Sequence, residues 1–225
     1  MLISEHAMNV RALLFQRFLD DCIPPSIDEI SESLGCPSDV VKKSLSALET
    51  GRLLKLFPDT HEIKMLLPFS AVPTAFRVES NDRSWWANCA WCALGIPAML
   101  RKSARIFSVC GDCQKPIRWT VESNQVSGTP SIVHFAVGPA YWWDDIAWSC
   151  SNILGFCSND HSLRWCSTNC REQGAVLSRD KSWQLARAVF SDLLQPDWRP
   201  KNRDQMSSIF ENLGLTGRFW TFSRT

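Results

Sequence analysis

Residues 7–20 (AMNVRALLFQRFLD) place Val10, Leu13, Leu14 and Phe18 on one stripe of a helix. Pro24-Pro25 ends that segment. Ser26 opens a second helix, with Glu29 three positions on as a capping box, and Gly35 stops it. Ser38 opens a third, DVVKKSLSALET, closed by Gly51. Two short apolar runs follow, LLKLF and EIKMLL, joined by the turn Pro58-Asp59-Thr60-His61. Three helices and a two-stranded wing make a winged-helix-like subdomain over residues 1–72. Proline and serine thin the pattern at 68–74 (PFSAVPT), which reads as a linker. The remaining pattern, over 73–225, predicts a helix at 84–101, then strands in ARIFSVC, IRWTVE and SIVHFAV with a turn at GDCQKP. DDIAWSCSNILGF is of mixed character, and helices are predicted at 180–194 and 204–213, the latter ended by Gly214. Strands bracketed by helices make the fold class α+β. No internal repeat or low-complexity tract interrupts this order.

Composition narrows the picture. Of 225 residues, 45% are hydrophobic and 21% charged, which rules out global disorder. Lys plus Arg number 24 and Asp plus Glu 23, so no overall field draws the chain to nucleic acid or an anionic membrane. No apolar run approaches the ~20 residues of a bilayer span. The start, MLISEHAMNVRALLF, carries Glu5 and does not read as a signal peptide. A cytoplasmic location is therefore expected, where ten cysteines serve as thiols or metal ligands rather than disulfides. The third helix offers Lys42, Lys43 and Ser44 outward, but also Asp39 and Glu49, which weighs against a DNA-recognition role.

The cysteines carry the chemistry. Cys89 and Cys92 lie in SWWANCAWCALGIPAML; in a helix, i and i+3 share a face, and a nearby N-terminus favours thiolate. Pro97 should end or kink that helix. Cys110-x2-Cys113 sits in the hairpin turn, and Cys166-x3-Cys170 follows later; together they would supply a four-thiolate structural zinc site. Cys22, Cys36 and Cys157 read as small buried hydrophobes. His134 and His161 read as surface or core residues. The groups Trp85-Trp86-Trp91 and Trp142-Trp143-Trp148 read mainly as packing, some of them lining an apolar pocket.

WANCAW, ALGIPAML, ARIFSVC and the strand pair around IRWTV, in that order, resemble the catalytic domain of organomercurial (alkylmercury) lyases. DDIAWSCSNILGF resembles the segment that carries the family's second active cysteine, and PFSAVPTAFRV and the late DWRP…FENLGLTGRFW match it too, so the resemblance spans nearly the whole chain. It implies protonolysis of a carbon–mercury bond by two cysteines and an aspartate. The first cysteine, opening the family's C-x-x-D motif, matches Cys89; the second matches Cys150; a further cysteine, usually structural, matches Cys110. The aspartate position is held here by Cys92, a departure from the family pattern. Cys89, Cys92 and Cys150 are thus the expected catalytic residues and the ligands of mercury, as substrate and as product.

The resemblance implies no required cofactor, an organomercurial substrate, and small thiols or a mercuric reductase as acceptors of Hg(II). No nucleic acid and no membrane are expected as partners. Two other readings remain open at this point: a catalytically silent mercury-binding or sensing protein with a winged helix, and the zinc protein above. A thioredoxin-like redox role for Cys89-x2-Cys92 is disfavoured because no strand is evident just before Cys89.

Overall fold

A computed structural model describes residues 3–169 and 171–224. The chain opens with three helices, α1 (Glu5–Asp21), α2 (Ile27–Leu34) and α3 (Ser38–Thr50). Ser4 caps α1 by accepting from the Ala7 amide, and Ser26 with Glu29 forms the expected reciprocal box on α2. Val10, Leu14, Phe18, Ile30, Val41, Leu45 and Leu48 close a shared core with no exposed surface. The wing is β1 (Lys55–Leu56) and β2 (Ile63–Leu66).

The chain does not pause after the wing. The stretch read as a linker holds β3 (Phe69–Ser70), which pairs with β2 on one side and with β5 (Arg83–Ala87) on the other. With β4 (Arg77–Ser80), β6 (Ala104–Val109), β7 (Pro116–Glu122) and β8 (Gln125–Gly128), these strands form one eight-stranded sheet in the order β1-β2-β3-β5-β4-β6-β7-β8. Strand β7 shows the alternation of a half-buried antiparallel strand: Ile117, Trp119 and Val121 point in, Arg118, Thr120 and Glu122 out. A second, three-stranded sheet has β9 (Ile132–Phe135) between β10 (Ile153–Phe156) and β11 (Ala175–Ser178). Every pairing described is antiparallel.

Between the sheets lies α4 (Ala90–Leu100), buried from Ala90 through Met99. A helix apolar on every side is a core helix. It packs on β10 and most extensively on α7 (Arg179–Phe190). The short α5 (Ile146–Ser151), α6 (Asn159–Thr168) and α8 (Arg203–Asn212) complete the described elements named here.

Several expectations require correction. The helix predicted from 84 begins at Ala90; residues 83–87 are strand β5, because Trp85 and Ala87 alternate inward while Phe69 pairs across from Ala87. Pro97 does not end α4, which runs on to Leu100 in a wholly apolar setting. Ser44 is not presented outward: it is buried and its hydroxyl donates to the Val40 carbonyl. A strand does end just before Cys89, but it pairs only antiparallel, so no βαβ unit of the thioredoxin type exists here.

The α4–α7 contact is close enough to test. A Cβ on Gly95 would lie 2.8 Å from the Phe190 ring. Gly95→Ala should therefore lower stability by about 1–3 kcal/mol through overpacking, although alanine alone would favour the helix by up to ~1 kcal/mol. Urea denaturation checks this; a variant as stable as the parent would mean that Phe190 moves aside freely.

Candidate active site

The site is built on the N-terminus of α4. Strand β5 delivers Asn88, whose side-chain amide donates to the Pro68 and Phe69 carbonyls at 3.1 and 2.8 Å and fixes the chain there. Cys89 follows as the helix N-cap, with extended backbone, and its sulfur accepts the Cys92 amide at 3.3 Å. Sulfur thus fills the position usually given to a serine or aspartate oxygen. Cys92 is the third helical residue, one turn further in. Cys150 arrives from α5, which Asp145 caps by accepting the Trp148 amide. Just past it, Asn152 donates to the Trp148 carbonyl and accepts from Arg171, holding the turn into β10.

These elements bring the sulfurs of Cys89, Cys92 and Cys150 within 4.8 Å of one another, all three buried. Burial pushes Cys89 up, but hydrogen bonds from the Cys150 and Cys92 thiols and from the Cys92 and Trp91 amides outweigh it and hold Cys89 well below the ordinary thiol range. Cys92 is driven the other way, well above that range, first by its hydrogen bonds to Cys150 and Cys89, then by burial and their charge. Cys150 is also raised, chiefly by Cys89. The trio is thus polarised toward negative charge on Cys89, the residue at the positive end of the helix, with the other two thiols driven toward the protonated form.

Cys92 and Cys150 open on a cavity of about 280 Å³ walled by Trp91, Trp142, Trp143, Ile146 and Phe190. Trp85, by contrast, packs on Phe69 and donates to the Phe18 carbonyl, and Trp148 lies on the surface under Arg171. No carboxylate lines the cavity among the described residues. Two lining residues escaped the sequence reading. Ser149 is buried with no hydrogen-bond partner for its hydroxyl among the described residues. Arg11, from α1, reaches the cavity with its guanidinium 3.7 Å from the Trp198 ring centre and bonded to the Leu193 carbonyl. Burial brings Arg11 down to about 10, with Asp192 opposing. No sequence pattern marked either: Ser149 neighbours a cysteine of interest, but Arg11 sits in an amphipathic helix far from it.

The other predicted ligands do not assemble as expected. Cys110 and Cys113 do come together, but their companions are Cys157 and His161, with all four ligand atoms within 4.8 Å. Cys166 instead lies 3.6 Å from the His134 ring, on the inner side of α6. Cys170 lies outside the described residues. Burial raises Cys110, yet the Cys113 and Cys157 amides, the His161 ring and the Asp112 amide bring it to about 6; Cys157 is pushed up to about 11 by burial and by its thiol neighbours.

An α+β domain with three buried thiols within reach of one another, two of them facing a largely apolar cavity, defines a soft-metal thiol site. The comparisons with known proteins narrow that class. The family model described as alkylmercury lyase (MerB) matches residues 69–191, and the chain belongs to that family. Alkylmercury lyases of Staphylococcus epidermidis and Bacillus cereus are each 28% identical, over 166 and 172 residues, covering 73% of this chain and 74% and 73% of theirs. A crystal structure of the mercury-bound form of MerB2 has the same fold, with a TM-score of 0.68 at 18% identity, covering 86% of this chain and 93% of that one.

The charge assignment predicts a pH response. Because its folded-state value lies below the unfolded one, ionised Cys89 favours the fold above the ordinary thiol range, and that contribution is lost as pH falls through the folded value. Thiolate absorbance in the ultraviolet should show, beside the step of Cys110 at about pH 6, a second step below the ordinary thiol range that Cys89→Ser removes. Cys150→Ala, which deletes a donor to Cys89, should move that step to higher pH; an unmoved step would place the charge elsewhere.

Proposed function

We propose that this chain cleaves the carbon–mercury bond of organomercurials by protonolysis at Cys89, Cys92 and Cys150. The observation that carries the reading is the buried thiol trio, two of whose members, Cys92 and Cys150, open on an apolar cavity that no described carboxylate lines. The substrate reaches the site as an organomercury cation bound to a small thiolate. Cys89 thiolate attacks mercury, and the departing thiolate takes the Cys150 proton as Cys150 becomes the second ligand. Two soft donors load electron density onto the carbon. Cys92, still protonated, passes its proton to that carbon, the hydrocarbon leaves, and the electron pair of the carbon–mercury bond becomes the new carbon–hydrogen bond. Hg(II) then remains on thiolates until small thiols, or a reductase for mercuric ion, remove it. The reaction draws on no resident cofactor.

A thiol in the acid's position changes the product state. An aspartate that gives up its proton is a poor ligand for mercury; Cys92 becomes a third thiolate within reach of it. Sequestration of mercury without turnover is therefore the second reading, and it rests on the same residue.

Residues 1–72 are proposed as a subdomain that walls the cavity, and 73–225 as the catalytic region; Arg11, Gly51, Arg52, Leu53 and Leu67 of the former line the cavity. No described helix is long and apolar enough to cross a membrane. Duplex DNA is not an expected partner: Lys42 pairs with Asp39, and Lys55 with Glu49. Retardation of duplex DNA at micromolar protein, relieved by salt, would contradict this.

The decisive measurement follows hydrocarbon release and bound mercury with an aryl- or alkylmercury compound in excess thiol. Cys92→Asp should keep or raise release. Cys92→Ala should still bind mercury through Cys89 and Cys150 but cleave ~100-fold more slowly or worse, the loss of a general acid. If Cys92→Ala cleaves as fast as the parent, Cys92 is not the donor; if the parent binds mercury and releases no hydrocarbon, the sequestration reading stands.

A further inference from the structure

The second cysteine cluster lies outside the proposed chemistry and has the form of a metal site. Cys110 follows the last residue of β6, and Cys113 falls in the turn before β7. Cys157 follows the last residue of β10, and His161 stands in the first turn of α6, where Ser158 caps the helix by accepting the His161 amide. The four ligands thus come as Cys-x2-Cys and Cys-x3-His, one pair from each sheet. Cys110 Sγ lies 3.4 Å from His161 Nδ1, and Cys113 Sγ lies 3.8 Å from Cys157 Sγ. Only Cys110 is fully buried; the rest are half-exposed, so an ion can enter from solvent.

The surroundings are shaped for the sulfurs. The Cys110 amide donates to the Lys115 carbonyl and the Gln114 amide to the Cys110 carbonyl, curling the turn so that the Asp112 and Cys113 amides point at Cys110 sulfur. Gln114 takes a left-handed backbone to allow it. The Gly111 amide donates to the Gly155 carbonyl at 3.0 Å, joining the turn to β10, and a side chain on Gly111 would strike Phe156 at 2.8 Å. Asp112 faces His161 Nδ1 at 3.5 Å and pairs with Arg164 at 2.7 Å.

We propose that Cys110, Cys113, Cys157 and His161 bind one structural Zn(II), which fastens the β6–β7 hairpin of the large sheet to the β10–α6 junction of the small one. Three sulfurs and one imidazole nitrogen within mutual reach suit a closed tetrahedral zinc shell. An iron–sulfur cluster ordinarily needs four thiolates, and an oxygen-seeking cation finds no carboxylate in the set. This site is separate from the lyase trio, and neither depends on the other's assignment.

Protein purified under reducing conditions from zinc-supplemented growth should carry about one zinc per chain by elemental analysis. Cobalt titrated into the stripped protein should give the spectrum of a tetrahedral thiolate site. The zinc should survive Cys89→Ser/Cys150→Ser and Cys166→Ser, fall at least ~10-fold in affinity in Cys157→Ser, and be retained in His161→Cys. Where Cys157→Ser does not fold, the cobalt spectrum of the parent and the content of the trio variant decide. Metal that disappears with Cys89 and Cys150, no tetrahedral cobalt spectrum, or a Cys113–Cys157 disulfide in place of bound metal would each overturn the proposal.

Discussion

The N-terminus of α4 is the constraint on which the rest turns. This helix is apolar on every side and almost fully buried, so its leading amides have no water to satisfy them. A buried unsatisfied amide costs about 1–3 kcal/mol, and a side-chain cap at such a position is worth roughly 0.5–2 kcal/mol. Here the cap is the sulfur of Cys89. The same contact that completes the helix also gives a thiolate two backbone donors and the positive end of the helix dipole. The hydrogen bond that lowers Cys89 is therefore also part of what completes the central helix.

Once one charge is placed, the other two thiols are constrained. Three buried sulfurs within 4.8 Å of one another compete for ionisation, so the lowering of Cys89 goes with the raising of Cys92 and Cys150. A carboxylic acid at position 92 would need an apolar setting to stay protonated at neutral pH; a thiol needs little help, its ordinary value being near ~8.5. In the proposed reaction the exchange of acid for thiol supplies the donor and creates a release problem, because the spent donor becomes a soft ligand.

How much of this was legible from the chain depended on range. The N-terminal helices were readable because their stops and caps are local: Ser26 with Glu29, Gly35, Gly51. Cys89 and Cys92 were paired by their helical spacing, while Cys150 joined them only by resemblance to the family, since nothing local to Cys150 says that it meets Cys89. The boundary at residue 89 was misread because Trp85, Trp86, Ala87 and Ala90 suit helix or strand equally, and only pairing with Phe69 and Ser70 decides. Cys157 and His161 were passed over, although Cys-x3-His is a metal spacing, because α6 is weakly apolar and was not predicted. Cys166 was preferred for its own pairing in sequence with Cys170, yet its side of the helix faces His134.

The continuity of the large sheet gives the N-terminal region its function in the proposed mechanism. Strand β3 pairs both with the wing and with β5, so the wing and the strand leading into Cys89 belong to one hydrogen-bonded body. Phe18 of α1 stacks on Phe69 at 5.2 Å, and Trp85 donates to the Phe18 carbonyl. Through these contacts α1 is held against the sheet, and Arg11 is carried to the cavity along with Trp198. A winged-helix order spent on packing has its recognition helix free of any charge surplus to use: Ser44 turns inward and Lys42 faces Asp39. In that mechanism the region contributes a wall beside a site whose polarised thiols and soft ligands gain from a low local dielectric.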